Sequence, residues 1–309
     1  MKKVGIGVDI GGSHIVSCAV DMASGKPIEG TLSEGKVNNK GTKQEVFETW
    51  ARVINTTMGA AGSNLVDGIG FAMPGAFNYK TGVAYYEGND KYEQLYGVNV
   101  KEEFPEYLDK EGLNLRFIND ATAFAVGEAW FGLAKGSQRS VSITLGTGFG
   151  SALIEHGVPV VRREDVPEEG CFWHLPYKDG ISDDYFSTRW FVNSFESLTG
   201  EKVPGVKEVA GLASEREDIN QLFVEFGENM ADFLIPWFEK FEPQILVVGG
   251  NVSRAFGLIQ PAFERMIGEK GIDLKIAISS MMEESALVGS ARLLDDGFWD
   301  RVKDNLPEK

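Results

Sequence analysis

The segment 4–14, VGIGVDIGGSH, constrains the fold of this chain more than any other, because an apolar strand leads through a carboxylate into a Gly-Gly turn. Its apolar residues alternate as in a β-strand, and residues 15–20, IVSCAV, predict the returning strand. Glycine turns the backbone at little steric cost, so an anion could meet the backbone N–H groups there, with Asp9 beside it to hold a cation. The candidate phosphate-binding residues are Gly11, Gly12 and Ser13. An ordinary β-hairpin is the alternative explanation.

A second segment, 140–154 (SVSITLGTGFGSALI), repeats this design of strand, glycine-rich turn and returning strand. Two such turns predict two halves of similar construction that face one another. The candidate phosphate-binding residues of the second turn are Gly146, Thr147 and Gly148.

A third segment, 245–254 (ILVVGGNVSR), is a short apolar run that ends at Gly249 and Gly250 and leads into a predicted helix. Strand ends of this kind are common ligand positions in open α/β sheets. The three segments together resemble the pattern of the sugar kinase, Hsp70 and actin superfamily, in which two phosphate loops and an adenosine loop close on a nucleotide between domains.

A candidate general base lies in segment 113–128, where strand alternation gives way at Asn119-Asp120 to an alanine-rich helix. Asp120 is therefore expected near a helix N-terminus. A capping carboxylate in that position contributes roughly 1 kcal/mol. The alternative is a general base at the mouth of a cleft, which takes a proton from an attacking hydroxyl.

Five motifs in order, covering nearly the whole chain, resemble the ROK family, whose members are mainly sugar kinases and sugar-responsive repressors. The motifs are DIGGSH (9–14), FAMPG (71–75), IND with AxAxAxGE (118–128), LGTGFGSALI (145–154) and VVGGNVS (247–253). The resemblance implies an α/β, two-lobed actin-like ATPase (ribonuclease H-like) fold with nucleotide and sugar in the interlobe cleft. We expect an N-terminal α/β lobe over 1–118 and a C-terminal α/β lobe over 119–309, whose last helix (about 290–309) packs back on the first lobe.

The same resemblance implies a set of polar side chains suited to a polyol. Asn89 matches an asparagine that holds a sugar hydroxyl in relatives, His174 falls where the family has a sugar-contacting histidine, and Asp183 stands for a family glutamate. The expected substrate-binding residues are Asn89, Asn119, Asp120, His174 and Asp183. Trp173 and Tyr86 are interpreted either as aromatic platforms for a sugar ring or as core residues.

One region departs from the family, because Cys171 stands in place of the sugar-binding glutamate. Relatives also follow this segment with a cysteine cluster that binds a structural zinc. Here one cysteine lies nearby and no CxC or CxxxxC pattern exists, so the thiolate ligands would be missing. We expect no zinc site.

The predicted function is ATP-dependent phosphorylation of a hexose or amino sugar, glucokinase-like or N-acetylhexosamine kinase-like. The expected cofactors are ATP and Mg²⁺, with the metal held by Asp9 directly or through water, and Asp120 as the catalytic base. A catalytically weak sugar-binding regulator of the same fold is one alternative, motivated by Cys171. An actin-like or Hsp70-like ATPase with a protein partner is another, disfavoured by the short chain and by Asn119-Asp120.

Charge, hydropathy and the position of the motifs argue against several other classes of protein. The formal net charge of −16 argues against nucleic acid, which is bound by an excess of lysine and arginine. No segment approaches a membrane span, and the basic start lacks the features of a signal peptide. Because the phosphate-loop strand begins at Val4, we expect no helix-turn-helix of the kind that ROK repressors carry. Two distant cysteines suit a reducing cytoplasm, and we expect a homodimer that acts on sugar and ATP.

Apolar spacing predicts helices over 44–58 and 220–241. The apolar face of the second is expected to be core or else a dimer surface. The stretch 157–184, rich in proline, glycine and charge, is predicted to be a loop insertion.

Overall fold

The computed structural model describes residues 3–88 and 91–306. The chain forms two compact units. The first comprises Met1–Lys135, Gly157–Pro159 and Glu283–Lys309, and the second comprises Gly136–His156 and Val160–Met282. The boundary therefore follows Lys135 rather than residue 118, and the chain returns to the first unit at Glu283.

Both units mix strands and helices. The strands are β1 Val4–Ile10, β2 His14–Asp21, β3 Ser33–Lys36, β4 Val66–Met73, β5 Phe77–Asn78, β6 Val83–Ala84, β7 Asn114–Asn119, β8 Arg139–Leu145, β9 Phe149–Glu155, β10 Val158–Pro159, β11 Pro176–Tyr177, β12 Gly180–Ile181, β13 Ile245–Gly249 and β14 Lys275–Ile278. The α-helices are α1 Lys43–Ala61, α2 Val100–Glu103, α3 Asp120–Trp130, α4 Ser182–Tyr185, α5 Thr188–Thr199, α6 Val206–Leu212, α7 Glu217–Phe241, α8 Phe256–Glu269, α9 Glu284–Arg292 and α10 Asp296–Val302. Short 3₁₀ turns occupy Ser63–Leu65, Glu93–Leu95, Phe104–Tyr107, Glu168–Gly170 and Asn251–Ala255.

The two units have sheets of the same design. In the first unit the strand order is β3-β2-β1-β4-β7, with β1 antiparallel to β2 and parallel to β4. In the second unit the neighbouring strands lie in the order β9-β8-β13-β14, with β8 antiparallel to β9 and parallel to β13. Each glycine-rich turn joins the antiparallel pair of its sheet. The repeated construction predicted from the two turns is confirmed.

Glycines in β1 and β4 let helix α9 lie directly on the first sheet. A Cβ on Gly7 would stand 1.9 Å from the carbonyl oxygen of Leu287, and a Cβ on Gly70 would stand 1.9 Å from that of Ser290. The Val and Ile side chains of β1 are buried in the core. The alternation of glycine and β-branched residues in β1 thus gives the strand a flat side for a helix and a bulky side for packing.

The two predicted helices are confirmed as α1 and α7, each a few residues longer than expected. The apolar face of α7 is buried in the core of its own unit, so it is core rather than a dimer surface. Across the part of the chain that the structure describes, no helix combines the length and apolar character needed to cross a membrane.

The stretch 157–184 is not the simple loop that its composition indicates. It contains β10, β11, β12 and a 3₁₀ turn. Phe172 is fully buried and packs against Phe149 and Phe233. Buried aromatic contacts therefore hold this stretch in place, and its glycine and proline content misled the prediction.

Candidate functional site

The first glycine turn, between β1 and β2, is held from outside by two side chains. The Tyr92 hydroxyl donates to the carbonyl oxygen of Gly11 at 2.7 Å, and the Asn39 amide donates to that of Gly12. Because N–H and C=O point in opposite directions across a planar trans peptide, the N–H groups of Gly12 and Ser13 face away from these two side chains. The turn therefore has the fixed backbone geometry that an anion site requires.

Asn119, not Asp120, caps helix α3. The Asn119 side-chain oxygen accepts the backbone N–H of Thr122 at 3.1 Å, and its amide donates to the Tyr79 hydroxyl at 3.3 Å. Asp120 is the first residue of the helix, and its carboxylate accepts the N–H of Ala121 at 2.8 Å. The N-cap role that the sequence allowed for Asp120 thus belongs to its neighbour, and the Asp120 carboxylate is bonded at one oxygen to the adjacent N–H of Ala121.

Burial raises the pKa of the Asp120 carboxyl above its usual value, although hydrogen bonds from Ala121 and Asn119 and the nearby charge of Lys91 act the other way. A raised pKa makes a carboxylate a stronger base, which suits general base catalysis near neutral pH.

Asp9 lies at the end of β1 in the same electrostatic environment. Burial, with the neighbouring charges of Asp120 and Glu283, raises the pKa of Asp9 to about 7. Two further carboxylates, those of Asp120 and Glu283, therefore act on Asp9 in this part of the first unit, and a cation bound there would offset the repulsion.

The carboxylate oxygens of this region fit Mg²⁺ chemically. Magnesium prefers oxygen ligands and takes one or two carboxylates together with waters and substrate phosphates. Asp9 supplies such an oxygen beside the glycine turn. Within residues 3–88 and 91–306, no three His, Cys, Asp or Glu side chains come together as a dedicated metal site.

In the second unit, Asp183 holds the second glycine turn. One carboxylate oxygen accepts the backbone N–H of Phe149 at 2.6 Å, and the other accepts Arg189 at 2.5 Å. A Cβ on Gly148 would stand 2.8 Å from Asp183, so the carboxylate lies against the turn. The resemblance implied sugar binding for Asp183, whereas this support of the turn leaves no local sequence signal, because the partners are distant in sequence.

The segment with Cys171 and His174 lies in the same unit. The Cys171 sulfur is 3.8 Å from Nδ1 of His174, and burial raises the pKa of the thiol to about 12. The thiol is therefore neutral and unreactive.

Trp173 packs edge-on against the His174 ring and remains 47% exposed, whereas Tyr86 in the first unit is buried. Trp173 is thus accessible to a ligand and Tyr86 is a core residue.

A cavity of about 680 Å³ lies within the second unit. Its walls come from the second glycine turn, from α5 and α6, and from the segment after β13. The lining residues are Gly146, Thr147, Thr188, Gly205, Val206, Lys207, Ala210, Asn251, Val252, Arg254, Ala255, Gly257 and Leu258. This volume lies in the range of small-molecule and cofactor sites.

Gly249 and Gly250 do not line the cavity themselves. A Cβ on Gly250 would stand 2.4 Å from the carbonyl oxygen of Leu145, so this glycine allows the close approach of β8 that shapes one wall.

The predicted residues thus fall into two groups. Asp9, Gly11, Gly12, Ser13, Asn119 and Asp120 belong to the first unit, and Gly146, Thr147, Gly148, His174, Asp183, Gly249 and Gly250 belong to the second. Asn89 lies outside the described residues. Tyr92 and Asn39 were not predicted, and no local pattern marks them, because each reaches the turn from a separate segment.

Comparisons with known proteins identify the family of this chain. Residues 5–163 match the ROK family model. A glucokinase of Thermotoga maritima is 24% identical and covers 94% of this chain and 97% of its own length. An N-acetyl-D-glucosamine kinase of Haemophilus influenzae is 26% identical and covers 80% of this chain and 84% of its own length.

The structure also superposes on a ROK family glucokinase from Streptomyces griseus, solved in complex with glucose and AMPPNP. The TM-score is 0.71 at 25% identity, over 94% of this chain and 98% of that chain. The chain therefore has the predicted α/β, actin-like ATPase fold.

Proposed function

The chain belongs to the ROK family and is a sugar kinase, and we propose that it transfers the γ-phosphoryl group of ATP to a hydroxyl of a hexose or amino sugar. The observation that carries the proposal is the position of Asp120 on the first turn of α3. Asn119 takes the N-cap role, whereas the carboxylate of Asp120 has a raised pKa and lies in the electrostatic environment of Asp9 beside the glycine turn.

In the proposed reaction, the sugar hydroxyl oxygen forms a bond to the γ-phosphorus, and the bond from that phosphorus to the bridging oxygen of ADP breaks. The hydroxyl proton passes to the carboxylate of Asp120. Catalysis of this kind depends mainly on positioning and electrostatic stabilisation. The hydrogen bonds to Thr122 and Ala121 fix Asn119 and Asp120 at the start of α3, so the base is held in place before the substrate binds.

The backbone of the Gly11–Gly12 turn is proposed to bind a phosphate of the nucleotide. Asp9 would hold Mg²⁺, which when bound neutralises charge on the phosphates. Within the second unit, the cavity beside Gly146 and Thr147 is proposed to bind the nucleoside part of ATP, since it has the size and the mixed polar and apolar lining of a cofactor site.

The substrate class follows from the relatives and from the polar residues. The relatives named above are a glucokinase and an N-acetyl-D-glucosamine kinase, so hexoses and N-acetylhexosamines are the first candidates. Asn89, Asn119, His174 and Asp183 remain the proposed sugar contacts, because amide, imidazole and carboxylate groups supply both donors and acceptors for hydroxyls.

The test is an ADP-release assay with ATP and Mg²⁺ over a panel of hexoses, hexosamines and N-acetylhexosamines, with glycerol as the control acceptor. We expect sugar-dependent ADP release for at least one member and none with glycerol. Sugar binding by calorimetry without ADP release for any member would instead support the sugar-binding regulator that Cys171 suggested. ADP release without any sugar would favour an ATPase.

A further inference from the structure

The side chain of Lys91 lies over the first glycine turn. A Cβ placed on Gly12 would stand 3.0 Å from Cε and 3.2 Å from Nζ of Lys91. The ammonium group is therefore within a few ångströms of the backbone that is proposed to bind phosphate. No sequence pattern marks Lys91, because it lies 79 positions after Gly12 and belongs to none of the five motifs.

The backbone beside Lys91 is anchored to this turn. The next residue, Tyr92, is buried, donates its hydroxyl to the carbonyl oxygen of Gly11 and donates its N–H to the carbonyl oxygen of Asn39 at 2.9 Å. Asn39 in turn binds the carbonyl oxygen of Gly12. Lys91 is thus positioned by the same residues that fix the turn, although its own side chain is exposed.

The charge of Lys91 also reaches the proposed base. Lys91 lowers the pKa of Asp120 against the effect of burial. Asp9 is acted on by two further carboxylates, Asp120 and Glu283. A triphosphate brought to this turn would meet concentrated negative charge, in a chain whose formal net charge is already −16. A cation supplied by the protein at this point would reduce that repulsion.

We propose that Lys91 is a catalytic residue that binds the transferred phosphoryl group with its ammonium ion, opposite the Gly11–Gly12 turn. The proposal rests on the kinase function proposed above. As the sugar oxygen bonds to the γ-phosphorus and the bond to the bridging oxygen of ADP breaks, charge spreads over the non-bridging oxygens. An ammonium ion fixed beside these oxygens stabilises that charge more than it stabilises the ground state.

The experiment compares the wild type with Lys91→Met, Lys91→Arg and Lys26→Met. Lys26 is an exposed lysine beyond the far end of β2 from the turn, so its replacement controls for the loss of one positive charge. We measure kcat, the KM values for sugar and ATP, and inhibition by ADP with aluminium fluoride, which mimics the group in transfer. Lys91→Met should lower kcat by about 10² to 10³, the usual effect of removing one transition-state donor.

The same variant should keep the sugar KM within about twofold of wild type and lose inhibition by ADP with aluminium fluoride, because the lost contact is made chiefly in the transition state. Lys91→Arg should recover part of kcat, and Lys26→Met should match wild type. A Lys91→Met variant that keeps wild-type kcat, or whose only defect is a raised sugar KM, overturns the proposal. If wild type phosphorylates no sugar at all, the kinase proposal fails and the role of Lys91 fails with it.

Discussion

Asn119 and Asp120 are neighbours in the chain but have different roles at the start of α3. The amide of Asn119 satisfies the helix N-terminus, and the carboxylate of Asp120 lies in a partly buried setting that raises its pKa. The pair was found from sequence because the change from strand to helix occurs at these two residues. Which of the two caps the helix depends on the residue at which the helix begins, and sequence locates the boundary of an element less well than the element itself.

We predict that Asp9→Asn stabilises the protein when nucleotide and metal are absent. The raised pKa means that the folded state binds more protons than the unfolded state between pH 3.8 and about 7, so stability falls as pH rises through that range. The gain from Asn should be about 1 to 3 kcal/mol at pH 8, after allowance for partial exposure, and should shrink toward pH 4.

Urea unfolding at pH 8, 6 and 4 checks this prediction. Asp67→Asn, at an exposed position in β4 of the same unit, controls for the change in net charge. An Asp9→Asn variant no more stable than wild type at pH 8 would show that the carboxylate is not desolvated as the structure indicates.

We predict that Cys171→Glu lowers the KM for common hexoses. The resemblance places Cys171 where relatives have a sugar-binding glutamate, and the half-buried neutral thiol is a poor acceptor. A carboxylate acceptor contributes roughly 1.5 to 3 kcal/mol in a hydrogen bond to a hydroxyl, equivalent to at least a tenfold change in KM. Cys171→Met, of similar length and without an acceptor, is the control in steady-state kinetics. Equal KM values for the two variants and wild type would remove Cys171 from the sugar site.

At the scale of elements, helices α3 and α9 in the first unit are packed through glycine. A Cβ on Gly127 would stand 1.9 Å from the carbonyl oxygen of Ser285, and a Cβ on Gly289 would stand 1.8 Å from that of Ala123. The buried carboxylate of Glu128 accepts the Ser285 hydroxyl at 2.6 Å and the N–H of Leu133 at 2.8 Å. Gly127 and Glu128 thus join α9 to α3, the helix that begins at Asp120.

We predict that Gly289→Ala destabilises the protein by about 3 kcal/mol or more, because the added methyl meets backbone that cannot move aside. Gly268→Ala in α8 is the matched control, since a Cβ there meets nothing within 4 Å. Alanine is more favourable than glycine in a helix by about 1 kcal/mol. Thermal unfolding followed by circular dichroism should show a lower midpoint for the first variant and an equal or higher one for the second. Equal midpoints for Gly289→Ala and wild type would contradict the close packing.

Sequence predicted the strands and helices whose periodicity is strong, including β1, β8, α1 and α7. It failed for 157–184, where short strands are held by buried aromatic residues such as Phe172 rather than by a repeating pattern. Short segments that gain their structure from tertiary contacts carry little local signal.

At the scale of the whole molecule, the two sheets of like strand order were predictable because each is marked by its own glycine-rich turn. The unit boundary was not predictable in the same way. Helix α3 belongs to the first unit through its packing on α9, which lies more than 150 residues later in the chain. Contacts at such separation leave no trace in composition or in periodicity.

The central claim is that this chain phosphorylates a sugar with Asp120 as the base. Phosphorylated sugar formed from ATP is measured by mass spectrometry for wild type and Asp120→Asn, with sugar binding followed by calorimetry. The account predicts a product for wild type, a rate lower by about 10² to 10⁴ for the variant, and sugar binding retained by both. A variant that forms product at nearly the wild-type rate would contradict the account.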